Sequence, residues 1–216
     1  MMEDKDIQAM EKKVFRATVN DGLADMRAGF ILSLFAIAPL LSPTLGDFWS
    51  SAVWLPLYLA FDILLRLIKQ RAVMPRMGTV RFGPARKARI RRTMMILLAA
   101  NLVSFIAGLV FFLKFNKGFR PSVWTVSAGL ALSLMVVFTA AGLMLQLNRF
   151  FIYGIGTAIA TLAGEWLFQT GLASHHGYPA AFGLSSIVLI GIGVVVLMNF
   201  LHHHPVRTEG KDHGRA

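Results

Sequence analysis

Met74 to Arg92, MPRMGTVRFGPARKARIRR, carries seven Arg or Lys residues and no acid within nineteen positions. Apolar runs flank it, residues 50–68 before and 93–113 after. Each approaches the roughly 20 residues that an α-helix needs to cross about 30 Å of hydrocarbon. A basic stretch between two such runs reads as a cytoplasmic loop of a multi-span membrane protein, because Lys and Arg are enriched on that side and attracted by anionic headgroups.

Composition agrees. Of 216 residues, 56% are hydrophobic and 15% charged, against about 25% charged in a typical soluble domain. The expected organisation is a cytoplasmic N-terminal segment (1–27), one membrane domain (28–201) containing the basic loop 69–92, and a cytoplasmic tail (202–216). With no Cys, disulfides, thiolate nucleophiles and Cys-ligated metals are excluded. The acidic start of the chain and the charge at Arg27 do not fit a cleavable signal peptide, so the first apolar segment is expected to be retained. A net charge of +11 would suit nucleic acid, but no Asp or Glu lies between Asp62 and Glu165 and the basic residues there cluster at the ends of apolar runs. That distribution belongs to membrane topology, and no nucleic-acid partner is expected.

Six spans are expected: 28–45, 50–68, 93–113, 123–146, 150–168 and 182–201. In the first, Pro39 removes a helical hydrogen bond and Ser42-Pro43 is expected to close the span, which leaves a re-entrant segment as an alternative to a full crossing. With six spans, nineteen of the twenty-two Lys and Arg residues fall on the face that holds both termini, and Lys114, Lys117 and Arg120 fall opposite. Both termini are therefore expected in the cytoplasm. The fold class is all-α, a polytopic integral membrane helix bundle. Residues 3–20 add a short amphipathic helix at the cytoplasmic surface, with Ile7, Met10 and Val14 on its apolar face and Lys12, Lys13 and Arg16 in water. Small residues recur at helical spacing in two spans: Ala100, Ser104 and Gly108, then Gly156, Ala160 and Gly164. Such stripes let helices approach closely within a bundle or across a homodimer.

Within the basic loop, Pro75 and Gly78 bracket a turn, Thr79 to Phe82 alternates like a short strand, and Ala85 to Arg92 runs as a helix into the third span. Arg76, Arg81, Arg86, Lys87 and Arg89 are the candidate lipid or ligand contacts. Each cation near an anionic leaflet contributes about 1 kcal/mol. The same residues would also suit a phosphate-bearing ligand or an acidic protein partner.

The run Pro75-Arg76-Met77-Gly78-Thr79-Val80-Arg81-Phe82 resembles a Pro-Arg-x-Gly-x-Val-x-Phe motif of uncharacterised bacterial multi-span membrane proteins. Phe15 to Leu23 (FRATVNDGL) and Asn199 to Pro205 (NFLHHHP) are similar to that group. Thr79 stands where the group has an aromatic, and His202 to His204 where it has basic residues followed by an aromatic. The resemblance implies an inner-membrane, multi-pass protein and carries no activity.

Among polar residues, Asp62 and Arg66 sit one turn apart toward the cytoplasmic end of the second span. They read as an internal ion pair with Arg66 reaching the interface, or as a proton or cation site centred on Asp62. Glu165, beside Trp166, is its outer counterpart, either solvated or functional, and Asn101 reads as an interhelical hydrogen bond in the third span. Asp21 and Asp25 could share a magnesium diphosphate as in membrane prenyltransferases, but the second acidic motif is missing, so they read as helix-start acids. His175-His176 and His202 to His204 have no carboxylate close in sequence to complete a metal site. No metal and no cofactor is implied, and no nucleophile elbow, phosphate loop or His-Glu-x-x-His motif is present. The expectation is a non-enzymatic scaffold, sensor or accessory subunit contacting anionic lipid or a protein partner. A small transporter or channel using Asp62 and Glu165 is the alternative, and a membrane-bound lipid enzyme the third.

Overall fold

A computed structural model of the chain describes Phe15, residues 19–77, Arg91, Met95 and residues 122–205. Among these the structure is helical throughout, without strands. The elements are α1 (Leu23–Ala52), α2 (Trp54–Ile68), a π-helical turn (Lys69–Val73), α3 (Met74–Met77), α4 (Val123–Leu145), α5 (Arg149–Gln169), a 3₁₀ turn (His175–Gly177) and α6 (Tyr178–His203). Five described helical stretches are long and apolar enough to cross a membrane: Leu23–Gly46, Phe48–Arg76, Val123–Leu145, Arg149–Gln169 and His175–His203. The expected span 93–113, the amphipathic segment 3–20 and the short strand Thr79–Phe82 lie outside the described residues, apart from Phe15, Val19 and Met95, which are helical, and Asn20, which is not.

Leu55, Leu59, Ile63, Ile152, Ile155, Ile159, Leu184, Ile187 and Val195 are all exposed. A surface so apolar suits hydrocarbon and not water. The chain divides into two compact units, Met1–Val80 with Ser186–Ala216, and Arg81–Ser185.

In the first unit, Asp21 starts α1 by accepting the Leu23 N–H at 3.1 Å, and Asp25 lies in the first turn, at the positive end of the helix dipole. The helix does not end at Ser42-Pro43 as the sequence suggests. It continues through Pro39 and Pro43 and breaks at Gly46. Proline withdraws one N–H and leaves the rest of the turn usable, whereas the Gly46 backbone (φ 75, ψ 160) lies in a region essentially restricted to glycine. Gly46 therefore makes the reversal into the second span, with Phe48 and Trp49 exposed beside it.

The second span also outruns its expected end, because residues 69–77 of the basic loop are helical. Arg66, Lys69, Arg71 and Arg76 complement the negative end of the dipole. The π turn, in which Met74 N–H reaches back to the Lys69 carbonyl, widens the helix just before Pro75. Leu23, Leu65, Val73 and Phe200 form the apolar core of this unit. Close backbone approach holds α1 to α6: a Cβ at Gly29 would lie 2.9 Å from the Ser186 carbonyl oxygen, and one at Gly193 would lie 2.8 Å from that of Gly22.

In the second unit, Ser122 caps α4 by accepting the Thr125 N–H at 3.3 Å. Left-handed Gln146 ends it. Residues 146–148 then reverse the chain into α5, which packs along α4 through Phe138, Phe150 and Tyr153. α5 closes in a glycine-capped turn, where Gly171 N–H bonds the Phe168 carbonyl at 3.0 Å and Leu172 N–H that of Leu167 at 2.9 Å. The small-residue stripe of α5 is divided in its use. Gly164 meets Gly177 backbone to backbone, while no described atom lies within 4 Å of a Cβ at Gly156.

Candidate functional site

Two clusters of charged and polar side chains are built into the described helices, one in each unit. In the first, Asp62 Oδ2 pairs with Arg66 Nε at 2.7 Å, one turn along α2. Its other oxygen, Oδ1, takes Arg27 of α1 at 2.5 Å. The Asp62 side chain is 11% exposed, against 41% for Arg27 and 72% for Arg66, so the acid is sheltered while its partners reach outward. Asp21 pairs through Oδ2 with Lys69 Nζ at 3.0 Å. A cation and a backbone N–H thus occupy the two oxygens of Asp21, the arrangement of a helix-start acid. Arg76 reaches the C-terminal end of α6, where one Nη donates to the carbonyls of Leu201 at 2.5 Å and His204 at 2.9 Å. There it satisfies carbonyls that the end of a helix leaves without a partner. His203 and His204 each place Nδ1 on the carbonyl four residues back, at 2.8 and 3.0 Å, so these two of the three histidines bond carbonyls of the last turn.

Asp62→Asn removes one charge from a site with two cations. Because both arginines are partly exposed, the expected loss of stability is about 1–2 kcal/mol, below the 3–5 kcal/mol of a fully buried pair. Chemical denaturation in detergent checks this. Part of the loss returns in the double variant with Arg27→Gln, and full additivity of the two changes would show that the pair is uncoupled.

The second cluster is centred on Glu165, which the structure withdraws completely from solvent, at 0% exposure. The solvated reading open in the sequence is therefore not the one observed. Ser127 Oγ of α4 donates to Oε2 at 2.8 Å, and Gln169 Nε2, one turn along α5, donates to Oε1 at 2.7 Å. His176 Nδ1 lies 3.1 Å from Oε2. Since the Ser127 proton is committed to the carboxylate, Tyr178 Oη, 2.9 Å away, donates to Ser127 Oγ. Thr157 and Thr161 continue the buried polar side of α5, each returning its hydroxyl to a carbonyl of its own helix. A buried carboxylate with three donors is what the low dielectric demands, since an unpaired charge there would be costly.

Sequence reasoning singled out Asp62, Arg66 and Glu165 but not Arg27, Lys69, Ser127, Gln169, Tyr178 or the bond from His176. Gln169 was legible as the i+4 neighbour of Glu165. Arg27, Ser127 and Tyr178 come from other helices and leave no mark in local spacing. Asn101, Arg81, Arg86, Lys87 and Arg89 lie outside the described residues. Among the described residues, no group of three or more His, Cys, Asp or Glu side chains could hold a metal ion. No protein-family model, curated protein or solved structure matches the chain.

Proposed function

We propose that this chain is a non-enzymatic, six-span inner-membrane protein with both termini in the cytoplasm. Its basic loop and N-terminal amphipathic helix form a platform on anionic lipid, in the manner of a scaffold, sensor or accessory subunit. One observation carries this reading: among the described residues, Asp62 is paired with Arg27 and Arg66, and Asp21 with Lys69. Arg76 serves the end of α6. The stretch from Arg71 to Arg92 carries Arg71, Arg81, Arg86, Lys87, Arg89, Arg91 and Arg92 besides Arg76, and contains no acid. Anionic headgroups are the counter-charge that a cytoplasmic leaflet supplies in excess. The structural pairing of Asp62 also favours this reading over transport through that residue.

Native mass spectrometry of the detergent-purified protein with its co-purifying lipids tests the proposal. In a variant with Arg81→Gln, Arg86→Gln and Arg89→Gln, lipids of net negative headgroup are expected to fall about tenfold relative to zwitterionic ones. That lies below the upper limit set by three cations at about 1 kcal/mol each. The loss should shrink as ionic strength rises and screening shortens the reach of the charges. An unchanged lipid profile would reduce the loop to a topology signal.

A further inference from the structure

The Glu165 cluster is not used by a cytoplasmic platform, and its geometry has a direction. Glu165 is fully buried, whereas the His176 side chain bonded to it is 43% exposed. The imidazole is held between aromatic rings, with centroids 4.3 Å from Phe168 and 5.6 Å from Tyr178. Its backbone is unusual. His175 (φ 50), His176 (φ 57) and Gly177 (φ 62) are three consecutive residues in the left-handed region. Glycine adopts this readily, but the two histidines do so only where surrounding contacts hold them. The contacts here are the His176–Glu165 bond, the Gly177 N–H to the Ser174 carbonyl at 2.9 Å, and the seat of Gly177 on Gly164.

The site has the wrong makeup for a metal ion. Glu165 and His176 are two ligating side chains, and the carboxylate already accepts three hydrogen bonds. A proton needs no further ligand. We propose that Glu165 and His176 form a proton-binding site, and that the proton it holds latches the left-handed turn His175–Gly177 onto the end of α5. Imidazole changes charge between about pH 5 and 8. An imidazolium on a carboxylate makes a charge-assisted bond, and a neutral ring only a weaker one. The groups facing the carboxylate are Ser127 from α4, Gln169 from α5, and His176 and Tyr178 from the turn and the start of α6. Apart from Glu165 itself, His176 and Tyr178 are the titratable ones. On the topology proposed above, and resting on it for the side alone, the latch faces away from the cytoplasm and responds to pH there.

Hydrogen–deuterium exchange of the full chain in detergent micelles tests the latch whichever side it faces. Labelling times are scaled to the intrinsic exchange rate at each pH. Amides of residues 171–178 in the wild type are expected to be about tenfold better protected at pH 5 than at pH 8. His175→Gln, which changes the neighbouring exposed ring, should keep that dependence. His176→Gln should lose it and show the lower protection at every pH, as should Glu165→Gln where that variant folds. His176→Gln alone decides the matter if it does not. A flat wild-type profile, or a His176→Gln profile like that of the wild type, would overturn the proposal.

Discussion

Gly177→Ala is expected to destabilise the unit formed by α4, α5 and the 3₁₀ turn by about 3 kcal/mol or more, from two causes that add. The backbone at this position has φ 62, where a residue with a Cβ costs roughly 1–2 kcal/mol. That Cβ would also lie 2.1 Å from the Gly164 carbonyl oxygen and 2.6 Å from the Gly164 Cα. Both atoms are backbone in the middle of a helical turn and cannot rotate aside, so the turn must lift from α5. His176 lifts with it, and Glu165 loses a donor. Gly171→Ala is the control, since Gly171 is also left-handed (φ 76) but has open space where its Cβ would be. It should show the conformational cost alone. Thermal unfolding of both variants in detergent separates the causes, and equal losses would mean that the Gly164–Gly177 approach contributes nothing.

The five described helices long and apolar enough to cross a membrane were legible because hydrocarbon thickness sets the length a crossing needs, and composition reports that length directly. Breaks between spans were less legible. Pro39 and Pro43 are the strongest helix breakers on a propensity scale, yet α1 passes through both and turns at Gly46. A proline inside a helix removes one bond, whereas backbone at φ 75 and ψ 160 cannot continue a helix at all. The basic residues 69–77 misled in the opposite sense. Polarity suggests a loop, but cations at a helix C-terminus support the helix, and the chain stays helical to Met77.

The candidate sites divide along the same line. Periodicity finds neighbours on one helix, which is why Asp62 with Arg66 was readable and Glu165 with Gln169 could have been. Nothing in local spacing says that Arg27 completes the first pair or that Ser127, thirty-eight positions earlier, donates to Glu165. Ser127 looks like an ordinary small residue of an apolar span. Its role follows from the packing of α4 on α5, which is a property of the fold.

Glu165→Ala should cost more than any other single change at the polar sites, about 3–5 kcal/mol. The deletion leaves the Ser127 hydroxyl, the Gln169 amide and the His176 N–H without their acceptor. Each stranded donor costs about 1–3 kcal/mol in a buried setting. The partial exposure of Gln169 and His176 places the total toward the low end of their sum, since those two can turn outward. Ser127, fully buried, cannot turn to water and must re-bond to Tyr178 or to a carbonyl of α4. Glu165→Gln should cost less, about 1–2 kcal/mol, because one oxygen remains to accept. Its new NH₂ must then face a group that donates to the wild-type carboxylate, which has to turn to accept: a hydroxyl rotation at Ser127, a tautomer change at His176 or an amide flip at Gln169. Ser127→Ala in the alanine background should therefore cost less than Ser127→Ala in the wild type, and the difference measures the coupling between α4 and α5. Individual bonds of this kind inside membranes average about 0.6 kcal/mol, so a coupling near that value is expected. Detergent denaturation curves for the four proteins of the cycle supply the number. If Glu165→Ala and Glu165→Gln both unfold with the wild type, the carboxylate is not the organising centre of this unit, and the aromatic packing of α5 on α4 through Phe138, Phe150 and Tyr153 carries it instead.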